Sequence, residues 1–149
     1  MKRYLPAKRA MLTFYLLLAA LGVTVSFLIY RYAAMLPLDI LKAISAAVWF
    51  LILLVALVVV PHYFIHARVI ITDKEIASAG GFITYKNDYM PISSIKSVSL
   101  VITPLGGVTG FNFVIVNALG ARMLLSFMRK KDVILISKHI NEMIKERDG

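Results

Sequence analysis

The sequence contains no cysteine, and its two longest apolar segments contain no Asp, Glu, Lys, Arg or His. The missing cysteines exclude disulfide bonds, thiolate zinc sites and cysteine nucleophiles. The apolar segments cover residues 11–30 and 43–61. A helix of twenty residues is about 30 Å long, which matches the hydrocarbon core of a bilayer. The sequence therefore excludes a wholly soluble protein and predicts two transmembrane helices, over about residues 11–31 and 42–64.

The first apolar segment has an alternative interpretation as a cleaved signal peptide, because basic residues precede it. Its length exceeds the apolar region of about 7–15 residues that signal peptides have. Arg31 and Tyr32 follow it, where a cleavage site would require small residues. The second apolar segment comes directly afterwards, so a retained pair of membrane helices is favoured.

Positive charges predict the orientation of these helices, since Lys and Arg near the ends of spans favour the cytoplasmic side. The connector between the helices carries only Arg31 and Lys42, together with Asp39. The N-terminal flank is richer in basic residues and contains Lys2, Arg3, Lys8 and Arg9. We therefore expect a multi-pass protein of the cytoplasmic (inner) membrane, with both termini cytoplasmic and a short loop outside.

The pattern changes after residue 66 to short alternating segments bounded by turn residues. This change predicts a division into residues 1–66, with a tail and two membrane helices, and residues 67–149, a cytoplasmic domain. Strands are predicted at 68–72, 75–79, 82–86, 89–92, 95–102, 111–116 and 122–127. Turns or loops are predicted at 73–74, 80–81, 87–88, 104–110 and 117–120.

The last segment of the chain has helical periodicity. Apolar residues recur there at spacings of three and four, at Val133, Ile136, Ile140, Met143 and Ile144. This spacing predicts an amphipathic helix with one buried stripe. The whole chain is therefore predicted to be an α+β membrane protein, in which a two-helix hairpin precedes an antiparallel sheet and a closing helix.

Several short motifs carry a resemblance to a known family. They are Ile71-Thr72-Asp73-Lys74-Glu75-Ile76, Gly80-Gly81, Met90-Pro91-Ile92-Ser93-Ser94-Ile95-Lys96-Ser97-Val98, and Gly110 before a strand. In this order, after two apolar helices, they resemble the membrane-associated bacterial pleckstrin-homology (PH) domain family of the YdbS type. The resemblance implies a bent antiparallel sheet of about seven strands with one open end closed by the C-terminal helix. Such motifs are structural, so they identify a fold without a chemistry.

The segment from Met90 to Val98, called the PH motif below, also predicts which of its side chains are buried. Ile92, Ile95 and Val98 are expected to face the core. Pro91 is expected at an edge or a bulge, where its missing N–H is not needed.

Basic residues of the second domain are candidate contacts for anionic lipid headgroups or an acidic partner. They are Arg68, Lys74, Arg129, Lys130 and Lys131. The alternative for the last three is a solvated helix start in which Asp132 supplies the favourable charge. PH domains that bind phosphoinositides resemble one another in a basic signature across the first two strands. The short, acidic turn at residues 73–74 departs from that pattern and argues against specific phosphoinositide binding.

The loop around Leu105, Gly106, Gly107 and Val108 is a second candidate site, for docking a partner or dipping into a membrane. The sequence lacks the Lys-Ser/Thr ending of a phosphate-binding loop, so a flexible inter-strand loop is favoured over a phosphate cradle.

Two histidines have the spacing of metal ligands. His62 and His66 are four residues apart, but no third ligand is nearby. We therefore expect interfacial histidines, with no metal and no cofactor.

No enzyme signature or nucleic-acid-binding pattern is present in the sequence. The net charge is +9, but six of the seventeen Lys and Arg residues precede residue 43. The leading hypothesis is a non-enzymatic, membrane-anchored PH-like module that binds a protein or itself at the inner face of the membrane. The alternatives are a module that binds or senses anionic lipids, and an accessory subunit of a larger membrane complex.

Overall fold

The computed structural model describes residues 1–81 and 86–149. Two long helices, α1 (Lys8–Tyr32) and α2 (Leu38–His66), are long and apolar enough to cross a membrane. Helix α2 includes a π-helical stretch at Val55–Val59. Only 6% of the most apolar window of each helix is buried within the protein, whereas a core helix of a soluble protein would be mostly buried.

Small residues let the two helices pack closely. A Cβ on Gly22 would lie 2.8 Å from the Trp49 ring. The Trp49 Nε1–H donates a hydrogen bond to the Ser26 Oγ at 3.0 Å, and the hydroxyls of Ser26 and Ser45 are 3.4 Å apart. The small residues Gly22 and Ser26 of α1 therefore serve packing within the chain.

The described residues contain seven strands in two antiparallel sheets. The strands are β1 (Lys2–Tyr4), β2 (Arg68–Ile71), β3 (Glu75–Gly80), β4 (Lys86–Pro91), β5 (Ile95–Ile102), β6 (Asn112–Ala118) and β7 (Ala121–Met128). One sheet has the order β1-β2-β3-β4 and the other the order β5-β6-β7. The predicted fold class, two apolar helices followed by antiparallel sheets and a C-terminal helix, is confirmed.

The N-terminus contributes strand β1, which the sequence interpretation placed in a tail. Lys2 pairs with Ile71 and Tyr4 pairs with Val69 on β2. Residues on both sides of α1 and α2 along the chain therefore build one sheet, because β2 leaves an open edge that the N-terminal segment fills. The division at residue 67 stays a prediction.

The first strands differ in detail from the prediction. The predicted strand 82–86 falls largely on residues 82–85, outside the described residues. Asn87 and Asp88 were predicted to form a turn, but they pair with Ala79 and Ser78 within β4. Here the hydrogen-bonded ladder outweighs the turn preference of Asn and Asp.

The two sheets have a helix-proximal end and a distal end. At the helix-proximal end β2 begins at Arg68, directly after α2, and β7 ends at Met128. A short helical turn, α3 (Gly106–Thr109), connects β5 and β6 at the same end. The tight turn at Leu119 and Gly120, between β6 and β7, lies at the distal end.

Helix α4 (Lys130–Asp148) closes the fold and runs from the helix-proximal end to the distal end. Its predicted apolar stripe is confirmed, since Val133, Ile136 and Ile140 are fully buried and Met143 and Ile144 pack partly against the core. Ile92 and Ile95 of the PH motif are buried as predicted, and Val98 is partly buried. Pro91 ends β4, an edge strand of its sheet, as predicted.

Candidate functional site

An aromatic cluster joins both long helices to the second sheet. Phe127, near the end of β7, has its ring centroid 5.0 Å from that of Phe14 in α1 and 5.6 Å from that of Tyr63 in α2. The Phe111 ring lies 5.4 Å from the rings of both Phe14 and Phe127. Most of these pairs have the tilted or edge-to-face geometry that aromatic rings prefer. The sheets are therefore attached to both helices by packing as well as by the chain.

Phe127 also has an unusual backbone conformation. Its φ is 57°, in the left-handed region that side chains other than glycine rarely adopt. The register between β6 and β7 shifts at this level, between Asn112 and Val114. This irregularity turns the Phe127 carbonyl toward the chain that precedes α1, where it accepts the Ala7 N–H at 2.7 Å.

The loop with the predicted docking residues lies against the start of α1. The Arg9 guanidinium donates to the Gly107 carbonyl at 2.8 Å, and the Thr13 hydroxyl donates to the Thr109 carbonyl at 3.1 Å. Gly110, with φ of 74°, approaches so closely that a Cβ there would lie 2.8 Å from the Ala7 Cβ. One side of the loop is therefore fixed to the helix.

The other side of this loop is open. Leu105 is 67% exposed and Val108 is 70% exposed. Gly106, in contrast, is buried against Asn112, whose amide donates to the Gly106 carbonyl at 2.9 Å and to the Met128 carbonyl at 3.0 Å. The four predicted loop residues thus divide into an exposed apolar pair, an exposed Gly107 and a buried structural glycine.

The basic cluster at residues 129–131 begins helix α4. The Arg129 Nε donates to the Asp132 Oδ2 at 2.9 Å, and Asp132 is 6% exposed. An ion pair therefore holds Arg129. Lys130 and Lys131 are exposed. Arg68 is exposed at the same helix-proximal end, so the structure gathers four of the five candidate cations there.

Lys74 lies apart from these four residues. It is in the β2–β3 turn and lines a cleft with Ser93 and Arg147 at the distal end. Lys130 and Arg147 are separated by seventeen residues of α4, which corresponds to about 25 Å. Lys74 therefore belongs to a different surface from the basic cluster at residues 129–131, called the Arg129 cluster below.

The distal end also carries most of the acidic residues of the domain. Acidic side chains lie in the β2–β3 turn and in the last turns of α4, at Asp73, Glu75, Glu146 and Asp148. Basic side chains also lie at this end, at Lys74, Lys96, Arg122, Lys145 and Arg147, so the charges of the distal end nearly balance.

Arg147 is a structural residue that the sequence interpretation missed. Its guanidinium donates to the carbonyls of Ile92, Ser93 and Ile95 at 3.0, 3.1 and 2.8 Å. It therefore joins the end of α4 to the PH motif. The available signal in the sequence was a basic residue in the last turn of a helix, which is also a common way to complement the helix dipole.

Two ionisable groups report this electrostatic environment. The pKa of Tyr4 is raised, mainly by burial of its side chain and further by the negative charge of Asp132. The pKa of Asp148 is lowered, mainly by its hydrogen bond with Arg147. The charge of Asp132, at the start of α4, therefore acts on the Tyr4 hydroxyl in strand β1.

The two histidines lie at the end of α2. Their ring centroids are 4.4 Å apart, and the His66 Nδ1–H donates to the His62 carbonyl at 2.8 Å. Within residues 1–81 and 86–149, no three His, Asp or Glu side chains are grouped so that they could hold a metal ion.

Comparison with known proteins identifies one family. A family model described as the bacterial PH domain matches residues 7–144, which includes both long helices and nearly all of the sheet domain. No curated protein matches the chain.

Proposed function

This chain belongs to the bacterial PH domain family, and we propose that it is a membrane-anchored module that binds a protein partner at the inner face of the membrane. PH domains are typically non-catalytic. The proposal includes the finer assignment to the YdbS-like type, in which membrane helices precede the domain.

The two long helices support the membrane anchor. Their surfaces are apolar and almost entirely unburied by the rest of the protein. Lys8, Arg9 and Arg68 flank the ends of the helices on the side of the domain, whereas the connector carries only Arg31, Asp39 and Lys42. By the positive-inside rule, the domain and both termini are cytoplasmic. A reporter enzyme fused after Gly149 that is active only outside the cytoplasm would contradict this orientation.

The proposal of protein binding rests on the free edge of β5. Strand β5 pairs with β6 on one side and is at the edge of its sheet within the described residues. Leu100, Val101 and Ile102 are 42%, 41% and 37% exposed, although all three are apolar. An exposed apolar edge strand is a template to which a partner strand can add.

The position of this edge favours a partner in the same membrane. Ile102 pairs with Asn112, which contacts the loop that is fixed to α1. The exposed half of β5 is therefore the half closest to the two helices. Confinement of both proteins to one membrane would raise their effective concentration without any further contact.

Crosslinking in native membranes tests this function. The full-length chain has no cysteine, so a Val101→Cys variant accepts a thiol-specific crosslinker at one position, and the product identifies either a second copy or another protein. The crosslinker is then attached at Ser99→Cys, a second position on β5, where it should give the same product. We expect this product to disappear when Val101→Lys is added to the Ser99→Cys variant. Leu119→Lys is the matched control, because Leu119 is a 72% exposed apolar residue at the distal end. Loss of the product in both variants, or in neither, would contradict binding at the β5 edge.

A second candidate function is binding of anionic lipids, which the position of the basic residues favours. Arg68, Arg129, Lys130 and Lys131 lie at the helix-proximal end, under the leaflet that the helices would enter. Each basic residue near an anionic surface contributes about 1 kcal/mol to attraction. This attraction weakens when salt shortens the Debye length.

Chemical footprinting of the full-length chain in nanodiscs separates the two candidates. If lipids are bound, anionic nanodiscs should protect the Lys130 and Lys131 amines from a water-soluble acylating reagent, and high salt should remove the protection. Lys145, exposed near the distal end of α4, should react equally in all conditions. Equal acylation of Lys130 and Lys131 in neutral and anionic nanodiscs would contradict the lipid function.

A further inference from the structure

The position of the loop between β5 and β6 along helix α1 is fixed by two hydrogen bonds. Arg9 holds the Gly107 carbonyl and Thr13 holds the Thr109 carbonyl, at 2.8 and 3.1 Å. The two donors are four residues apart, which corresponds to about 6 Å along the helix. The loop therefore lies beside the first turns of α1 and cannot move along it without breaking these bonds.

These first turns contain the boundary between the charged and the apolar parts of the helix. Arg9 precedes the uncharged segment, which begins at Met11, and Thr13 is already within it. Phe14 and Tyr63, whose rings contact Phe127, lie at the same level. Tyr and Trp are enriched where spans cross from the headgroups into the hydrocarbon, so Tyr63 supports this depth. The loop is consequently at the depth of the membrane interface.

The tip of the loop has the chemistry of a segment that enters this interface. Leu105 and Val108 are exposed by two thirds or more of their surface. No Asp, Glu, Lys, Arg or His occurs between Lys96 and Arg122, in a chain with seventeen Lys and Arg residues. The loop itself therefore has no charged side chain that would have to be dehydrated on insertion.

The backbone of the tip is largely hydrogen-bonded within the protein. The N–H groups of Val108 and Thr109 donate to the Leu105 carbonyl at 3.0 and 2.8 Å, and the Gly110 N–H donates to the Gly106 carbonyl at 3.0 Å. The Gly107 carbonyl is held by Arg9. Satisfied backbone groups reduce the cost of moving a segment away from water.

We infer that Leu105 and Val108 insert into the bilayer that the two helices cross, as a third contact between this protein and lipid. The inference rests on the proposed membrane anchor. The tip is assigned to lipid because its contacts with Arg9 and Thr13 place it beside α1. At that depth the surface of α1 itself faces lipid. With three contacts the domain has a fixed tilt, and the free edge of β5 keeps one orientation relative to the membrane plane.

Site-directed spin labelling of the full-length chain tests the inference. Four single-cysteine variants carry a nitroxide: Leu105→Cys, Val108→Cys, Leu17→Cys and Leu119→Cys. Leu17 is 53% exposed within α1 and reports the anchor, whereas Leu119 reports the distal end. The purified variants are reconstituted in vesicles of phosphatidylcholine and phosphatidylglycerol. Accessibility of each label to oxygen, which is enriched in lipid, is compared with accessibility to a water-soluble nickel chelate.

We expect labels at Leu105 and Val108 to be severalfold less accessible to the nickel chelate than the label at Leu119, with a higher oxygen accessibility. If they match Leu119 while the Leu17 label is in lipid, the insertion is wrong and the anchor stands. If the Leu17 label is also in water, the anchor is wrong and the insertion falls with it. If the tip labels are in water in vesicles but immobilised in native membranes, the tip binds a protein, which also overturns insertion.

Discussion

The Ala7 N–H, immediately before helix α1, donates a hydrogen bond of 2.7 Å to the carbonyl oxygen of Phe127 near the end of β7. The two residues are 120 positions apart in sequence, and Phe127 has a left-handed φ of 57° at this point. The bond places the first turn of α1 on the second sheet, and the Phe127 ring contacts α1 and α2 at once. Phe127 therefore joins both long helices to the second sheet, through its ring and its carbonyl.

Removal of the Phe127 ring should loosen this junction. A fully buried Phe→Ala change costs about 3–5 kcal/mol, and because Phe127 is partly exposed we expect Phe127→Ala to lower the free energy of unfolding by about 2 kcal/mol. Thermal unfolding of the full-length chain in detergent measures the loss. Phe50→Ala is the matched control, since Phe50 is 69% exposed on α2. Equal losses in the two variants would contradict a junction at Phe127.

The backbone of Phe127 allows a second, separate prediction. Glycine adopts a left-handed φ without the penalty of about 1 kcal/mol or more that a Cβ imposes. Phe127→Gly should therefore be about 1 kcal/mol more stable than Phe127→Ala, although both lack the ring. A Gly variant less stable than the Ala variant in the same unfolding experiment would show that this φ carries no strain.

The two adjacent glycines of helix α3 should differ in their tolerance of a methyl group. A Cβ on Gly106 would overlap the Asn112 Oδ1, whereas a Cβ on Gly107 has nothing within 4 Å. Overpacking of this kind costs about 1–3 kcal/mol, so Gly106→Ala should lower the thermal midpoint clearly. Gly107→Ala should leave the midpoint unchanged or raise it slightly, because it restricts the unfolded chain. The reverse order would contradict the position of Asn112.

Arg147 should stabilise the contact between α4 and the PH motif. Its guanidinium donates hydrogen bonds to the carbonyls of Ile92, Ser93 and Ile95. The ammonium group of a lysine in Arg147→Lys cannot reproduce that geometry. We expect Arg147→Lys and Arg147→Ala to increase amide hydrogen exchange across residues 92–98. Lys145→Ala, an exposed change two residues away, should not. Unchanged exchange in both Arg147 variants would show that the three bonds contribute nothing to local stability.

Tyr4 should make the chain sensitive to alkaline pH. Burial, and secondarily Asp132, raise the pKa of the Tyr4 hydroxyl above 10.0 in the folded protein. A raised pKa means that the folded state favours the neutral hydroxyl. The resulting contribution to the free energy of unfolding is complete below pH 10 and is lost as pH rises toward the folded pKa. Tyr4→Phe should unfold at a midpoint that falls less between pH 9 and 11 than that of the wild type. Tyr89→Phe, at a 64% exposed position, controls for the loss of a hydroxyl. An equal fall of the unfolding midpoint in the wild type and in Tyr4→Phe would show that Tyr4 is not buried as described.

The sequence by itself determined the elements whose signal is local. The charge-free segments that became α1 and α2, the alternating strands and the apolar stripe of α4 depend on residues close to one another in the chain, so their periodicity is visible without a structure. The PH motif was found in the same way, because Ile92 and Ile95 are three residues apart. The turn assigned to Asn87 and Asp88 was wrong because local preference there is weaker than pairing with a strand from further away.

Only the tertiary structure decided what lies next to what. It paired β1 with β2 across the whole helical hairpin, separated Lys74 from the Arg129 cluster by the length of α4, and placed the Gly107 carbonyl on Arg9, 98 residues earlier. Contacts over such distances leave no periodic trace in the sequence. They arise because the open edge of a sheet, the start of a helix and an unpaired carbonyl must each find a partner when the chain becomes compact.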